Sequence, residues 1–252
     1  MSADHHPGTD PTSQTLYALT GVAVRYPGGR VALREVDLQI TAGERIVLLG
    51  TNGCGKSTLL KVLNGLIPPC EGRLCFEGKR MGPALRDRDW ERAFRRRVAL
   101  MFQHPEAMLF NPTVAEEIAY GLGHLTRESR RRRCQTWANR LGLAHLLDAP
   151  PSQLSGGEKQ RLCLACLLAP EPEVLLLDEP TANLDPRTTG WLLEWLATQA
   201  MTTVVATHYL PSASDLGERA IVLGEDHRVV FDGPVKAALA DRALLLANNL
   251  AY

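Results

Sequence analysis

The sequence predicts an α/β fold: a mostly parallel sheet with helices on both faces, joined to antiparallel strands in its opening part. Three observations predict it. Short apolar runs alternate with stretches of helical spacing from residue 45 onward. A glycine-rich phosphate-loop motif lies between one such run and its helix. The opening forty residues read instead as two strands joined by a tight turn.

The elements follow in chain order. Leu16 to Tyr26 alternates as a strand, Pro27-Gly28-Gly29 is a turn, and Val31 to Ile40 is a second strand with Val36, Leu38 and Ile40 on one face. Arg45 to Leu49 is a buried strand. Thr58 to Asn64 has helical spacing and stops at Gly65. Gly72 to Phe76 is a strand followed by a turn at Glu77-Gly78-Lys79. Arg86 to Arg97 is a polar, Arg-rich stretch, and Val98 to Phe102 is a strand ending at Gln103. Val114 to Gly121 and Arg127 to Gly142 are helices, the second carrying Arg130 to Arg133, which reads as a solvated face before a nucleic-acid or lipid contact. Ser155 caps a helix running to Leu168, with Glu158 placed for a capping box. Val174 to Asp178 is a buried strand, Pro186 to Gln199 a helix and Thr202 to Ala206 a strand. Pro211 to Leu216 is a short helix. Ala220 to Leu223 pairs with Val229 to Phe231, and Pro234 to Leu246 is helical. The expected organisation is a disordered tail over 1–14, one domain over 15–240 with a helical subdomain at about 104–168, and a short tail over 241–252.

Composition narrows the class. The formal charge is 28 − 28 = 0, which gives no support to nucleic-acid binding. No apolar run approaches the ~20 residues of a membrane helix, and the polar N-terminus lacks the features of a secretion signal, so a cytoplasmic protein is expected. Its His5 and His6 are too sparse for a metal site. The six cysteines are scattered and suggest no disulfide framework. Cys163 and Cys166 read as a buried helix face. Cys54, inside the glycine-rich loop, is expected to be open to oxidation.

That loop, Gly50-Thr51-Asn52-Gly53-Cys54-Gly55-Lys56-Ser57-Thr58, fits G-x-x-x-x-G-K-[ST] in its required strand-to-helix context. Glycines let the backbone wrap a phosphate chain, and amides at the helix N-terminus point at the anion. Lys56 can reach β- and γ-phosphates, and Ser57 can offer an oxygen to Mg²⁺. Leu175-Leu176-Leu177-Asp178-Glu179 completes the pattern: Asp178 suits the Mg²⁺ shell, and Glu179 can polarise an attacking water.

Between them lies Leu154-Ser155-Gly156-Gly157-Glu158-Lys159-Gln160-Arg161, which resembles the signature of ATP-binding-cassette (ABC) ATPases, with their P-loop NTPase core. The resemblance covers roughly Leu16 to Leu239 and implies, beside the core, an antiparallel β subdomain and an α-helical signature subdomain. It implies ATP and Mg²⁺ as ligands, Tyr26 as the aromatic on adenine, and Gln103 as the glutamine joining core to helical subdomain, near metal and water. It implies Asp185, in Ala182-Asn183-Leu184-Asp185, as part of the D-loop, and His208 as the switch histidine. It also implies a head-to-tail dimer, with itself or a second cassette, in which Ser155, Gly156 and Gly157 complete the partner's site.

The segment from Gln103 to Glu117 is similar to that of energy-coupling-factor (ECF) importers, especially their cobalt and nickel branch, with a vitamin such as biotin the nearest alternative cargo. The family implies an integral-membrane T-component and a substrate-binding membrane subunit as partners, and a peripheral place on the cytoplasmic face of the membrane. Glu106 fits the acidic residue that receives a partner arginine. Ala107 and Met108 depart from the usual acidic residue and glutamine, and Tyr209 from the aspartate that commonly follows the switch histidine. A soluble ABC protein that remodels nucleic acid or ribosomes fits less well, because this chain has one cassette and no coiled-coil insertion. A P-loop kinase is disfavoured by the signature.

Overall fold

The computed structural model describes residues 14–182 and 184–251. Its elements are β1 (Thr15–Arg25), β2 (Val31–Thr41), β3 (Arg45–Leu49), α1 (Lys56–Leu63), β4 (Glu71–Phe76), β5 (Lys79–Arg80), α2 (Met81–Ala84), α3 (Arg88–Arg97), β6 (Val98–Met101), α4 (Val114–Tyr120), α5 (Arg127–Arg140), α6 (Gly156–Leu168), β7 (Val174–Asp178), α7 (Pro186–Ala197), β8 (Thr202–Thr207), α8 (Ala213–Leu216), β9 (Arg219–Leu223), β10 (Val229–Pro234), α9 (Val235–Ala240) and α10 (Arg242–Ala247). All but Gln14 of the tail read over 1–14 lies outside the described residues.

Two sheets result. The first is antiparallel, in the order β2-β1-β4-β5; the second runs β10-β9-β3-β8-β7-β6, parallel except for β10. Every residue of β7 and β8 is buried, as expected of central parallel strands covered on both faces. The period of two sorts their side chains. Leu48, Leu176, Val204 and Ile221 pack with α1 and the antiparallel sheet, while Val47, Leu49, Leu177, Val205 and Val222 pack with the helical side. On that side Ile118, Leu122, Trp137, Leu162 and Ala165 lock α4, α5 and α6 together.

Register places the site. Leu49 lies opposite Thr207, and Asp178 opposite Ala206. The residues that follow, Gly50, His208 and Glu179, therefore emerge at one edge of the sheet. That is the carboxyl edge, where open α/β sheets hold ligands.

The structure adds a helix to one expectation and divides another. Arg86 to Arg97 is not merely a polar stretch: Asp87 accepts from the Asp89 and Trp90 amides and starts α3. Phe94 and Trp90 stack at 5.2 Å between ring centroids along the helix, and both meet Phe76 of β4 edge-on, at 5.0 and 6.4 Å, so the helix is held on the antiparallel sheet by aromatic pairs worth roughly 0.5–1.5 kcal/mol each beyond burial. The helix expected over Pro234 to Leu246 is two helices. Asp241 ends the first and accepts from the Leu244 amide to cap the second. Residues after 240 are accordingly no simple tail, for Leu245 of α10 is buried.

Candidate nucleotide site

The glycine-rich loop joins β3 to α1 and closes on its own lysine. Lys56 Nζ donates to the carbonyls of Gly50 (2.7 Å) and Thr51 (3.0 Å). An ammonium has three protons, so one remains for a ligand. Helix α1 starts with no side-chain cap and no acidic residue in its first turn. Its first amides and the positive end of its dipole are thus left to an anion. Two glycines are obligatory: a Cβ at Gly50 would lie 2.4 Å from Cys54 Sγ and 2.7 Å from the Leu223 carbonyl, and one at Gly55 2.3 Å from the Ala32 carbonyl.

The loop floors a cavity of about 530 Å³. Asn52, Gly53, Gly55, Lys56, Ser57 and Thr58 line it together with Tyr26, Arg30, Lys61, Gln103, Asp178 and Glu179. Tyr26 stands at its wall, its hydroxyl 3.1 Å from Thr58 Oγ1. Asp178 is buried, which pushes its carboxyl up, while a hydrogen bond from Ser57 opposes the shift. A buried carboxylate beside a hydroxyl, with the Gln103 amide lining the same cavity, is a partial oxygen donor set for a hard cation. Among the described residues no cluster of three or more His, Cys, Asp or Glu could hold a metal by itself. Mg²⁺ takes few protein ligands and completes its shell with phosphate and water, so a hydroxyl, a carboxylate and an amide oxygen are a donor set of the right chemistry for it.

Glu179 has φ 49° and is buried. Its carboxylate accepts from Thr207 Oγ1 (3.1 Å) and the His208 amide (3.1 Å), and lies 2.7 Å from His208 Nδ1. The sequence pointed to Glu179 and His208 but not to Thr207, which lies 28 residues from Glu179.

Ser155, Gly156, Gly157 and Asp185 do not line the cavity. Ser155 and Glu158 form the expected capping box on α6, with the Ser155 amide and hydroxyl donating to Glu158 Oε2 at 2.8 and 2.7 Å. A Cβ on Gly156 or Gly157 would meet nothing within 4 Å. Internal packing therefore does not demand these glycines, and they leave the helix start bare to a group from outside. Gln160 Nε2 donates to the buried Pro180 carbonyl (2.9 Å), tying α6 to the loop after Glu179; nothing in the sequence marked that contact. Asp185 caps α7, accepting from the Thr188 amide (3.0 Å) and hydroxyl (2.6 Å). Asn183 lies outside the described residues.

Beside the cavity, Leu66, Phe102, Met108, Leu167 and Pro170 line an apolar groove of about 380 Å³. Phe110 and Tyr120 meet edge-on at 4.9 Å, both about two-thirds exposed. The loop is braced by the buried Glu117, which accepts from the Phe110 (3.0 Å) and Asn111 (2.6 Å) amides. Glu106 is half exposed. Two of the α5 arginines serve the fold, Arg130 donating to the Gly123 carbonyl and Arg133 to the Ala169 carbonyl and to Glu171, while Arg131 and Arg132 lie on an exposed face. Cys163 is buried, its thiol pushed up to about 12 by burial, as a helix face implies. Cys54 departs from expectation. It is buried and its thiol is pushed up, so the reactive thiolate is disfavoured.

A phosphate loop facing strand-end carboxylates defines a nucleoside-triphosphatase. The family model for ABC transporters matches residues 33–182. The chain belongs to this family, as an ATP-hydrolysing cassette. It is 41% identical to the nickel import ATP-binding protein NikO of Rhodobacter capsulatus, over 93% of this chain and 95% of that protein. Other curated relatives of comparable identity carry only the general name of ABC transporter ATP-binding proteins. Among solved structures it is similar to cbiO1 of Clostridium perfringens, part of the ABC transporter complex cbiONQ, with TM-score 0.77 and 31% identity over 94% of this chain and 95% of that one. It is also similar to the ATP-binding cassette MJ0796, a dimer bound to ADP and Pi, with TM-score 0.78 and 30% identity over 87% and 99%. Among the described residues no helix is long and apolar enough to cross a membrane.

Proposed function

We propose that this chain powers an ECF-type importer of a transition-metal ion, cobalt or nickel, from the cytoplasmic face of the membrane. The observation that carries the cargo class is the 41% identity to NikO over nearly the full length of both chains. The partners are a T-component and a substrate-binding membrane subunit, and the working unit is a dimer with itself or a second cassette.

In this reading the loop amides and Lys56 hold the ATP phosphates, with Gly50, Asn52, Gly53, Gly55 and Thr58 shaping the cradle. Tyr26 stacks on adenine. Ser57, Asp178 and Gln103 would hold Mg²⁺, which when bound would supply positive charge to offset that of the phosphates. Glu179 takes the proton of the attacking water, oriented by His208 and Thr207. Ser155, Gly156, Gly157 and Asp185 act on the ATP of the opposite cassette, which accounts for bare glycines that packing does not require. Closing on ATP and reopening after hydrolysis moves the helical side and drives the membrane partners.

Co-expression with the membrane subunits, followed by uptake of radiolabelled nickel, cobalt and biotin, tests the cargo. Metal accumulation that Lys56→Ala abolishes supports the proposal. Biotin accumulation alone supports the vitamin reading.

A further inference from the structure

The turn between β9 and β10 reaches back to the phosphate loop. His227 Nδ1 lies 3.0 Å from the carbonyl oxygen of Cys54, 173 residues away. A carbonyl can only accept, so Nδ1 carries the proton and donates. We propose that His227 is a positioning residue of the ATP site, fixing the Cys54–Gly55 peptide so that the Gly55 amide faces the phosphates.

The geometry of the peptide carries the argument. In a trans peptide the C=O and the following N–H point in opposite directions from one plane. Holding the Cys54 carbonyl from outside the loop turns the Gly55 amide toward the cavity that Gly55 lines. Gly55 carries no Cβ and has φ 119°, so little else in its own backbone resists rotation of that plane.

The donor itself is firmly held. His227 stands at φ 66°, a strained value for a side chain of this size. Its amide donates to the Gly224 carbonyl (3.0 Å), and its own carbonyl accepts from the Arg34 amide (2.9 Å). Arg228, next in sequence, pairs with Glu35, and Asn249 Nδ2 donates to Glu225 Oε1 at 2.7 Å. The turn is thus pinned to β2 on one side and to the segment after α10 on the other. Strain maintained by so many ties, with the ring aimed at one peptide of the phosphate loop, makes sense as pre-organisation of that loop.

The inference rests on the reading of this loop as the ATP phosphate site, so its test includes Lys56→Ala. Three substitutions separate positioning from mere packing. His227→Gly tolerates the left-handed backbone and removes the donor. His227→Asn also tolerates that backbone and places its amide nitrogen where Nδ1 was. His227→Asp has the same shape but presents only acceptors at neutral pH. Calorimetric titration of the full chain with Mg-ADP is expected to show about fivefold weaker binding for His227→Gly, and at least as much for His227→Asp. His227→Asn should bind within about twofold of the wild type. The KM for ATP should follow the same order, with kcat little changed. Wild-type binding by His227→Gly and His227→Asp overturns the proposal, and so does His227→Asn binding as weakly as His227→Gly. Normal binding by Lys56→Ala would overturn the underlying reading and this inference together. Loss there alone overturns only this inference.

Discussion

Glu179 Oε1 and His208 Nδ1 lie 2.7 Å apart, bridging the ends of β7 and β8. Thr207 and the His208 amide bind the same carboxylate. Three donors fix its direction in a buried setting, at a residue whose backbone is itself held at φ 49°. A base must be aimed before it can be strong, and here the aim is set by the neighbouring strand.

Replacing Glu179 by Gln keeps the shape and removes the proton acceptor. ATP affinity should stay close to wild type, while kcat falls about 10²–10⁴-fold. Single-turnover hydrolysis checks this, and near-normal turnover would remove Glu179 from the mechanism.

What the sequence revealed of this site is what is local in sequence. Lys56, Ser57, Asp178 and Ser155 sit in runs where chemistry and backbone geometry are encoded within a few residues. Thr207 on Glu179, Gln160 on Pro180 and His227 on Cys54 are contacts across 28, 20 and 173 positions, and no periodicity signals them. The same limit applies to the fold. Helix α3 has one fully buried side chain, Phe94, so no apolar stripe announced it, and the Asp87 cap that starts it is seen only in the structure. The apolar spacing across Asp241 concealed a break that its capping carboxylate creates. The buried strands were legible because their apolar runs are short and uninterrupted.

The signature glycines give a second test. Ser155→Arg puts a large cation where Gly156 and Gly157 leave open space. The monomer should still bind nucleotide, because Ser155 does not line the cavity. Mg-ATP should no longer dimerise the Glu179→Gln background in sedimentation velocity. Loss of the cap costs about 1 kcal/mol, so a melting curve controls for unfolding. A dimer that forms as readily with Arg at 155 would place the contact elsewhere.

Arg97 sets a pH dependence. Its guanidinium donates to Glu77 (2.8 Å) after β4 and pairs with Glu173 (2.7 Å) before β7, linking the two sheets. That hydrogen bond holds the Glu77 carboxyl below the usual glutamate range. A depressed carboxylate stabilises the fold above its unfolded value of about 4.3 and loses that contribution as pH falls through the folded value. The pair is about one-third exposed, so the contribution is discounted to about 1 kcal/mol, or roughly 2–4 °C in Tm. Arg97→Gln should melt lower at pH 7, with the gap to wild type closing as the pH is taken from 6 to 3. A gap that is constant across that range would assign the loss to packing of Arg97 over the Phe76 ring.

The last prediction concerns coupling to the membrane. Glu106 stands half exposed near His104, in a loop whose Met108 lines an apolar groove and whose Phe110 projects into solvent against Tyr120 of α4. An exposed aromatic pair and a carboxylate beside such a groove suit an amphipathic partner helix bearing an arginine. The alternative, that Leu109 and Phe110 both pack the helical side, is met by Leu109 alone, because Phe110 is about two-thirds exposed. The loop is also tied to α4, since buried Glu117 accepts from the Phe110 and Asn111 amides. Glu106→Arg touches none of the residues lining the nucleotide cavity, so basal ATPase of the isolated chain should be unchanged. Once a partner excludes water from the contact, opposing two cations there costs about 2–5 kcal/mol, more than a tenfold loss of assembly. Co-purification with the membrane subunits and uptake should fall together. A charge-swapped arginine-to-glutamate variant of the partner helix should restore both, whereas unchanged assembly and uptake in Glu106→Arg would move the coupling contact away from this loop.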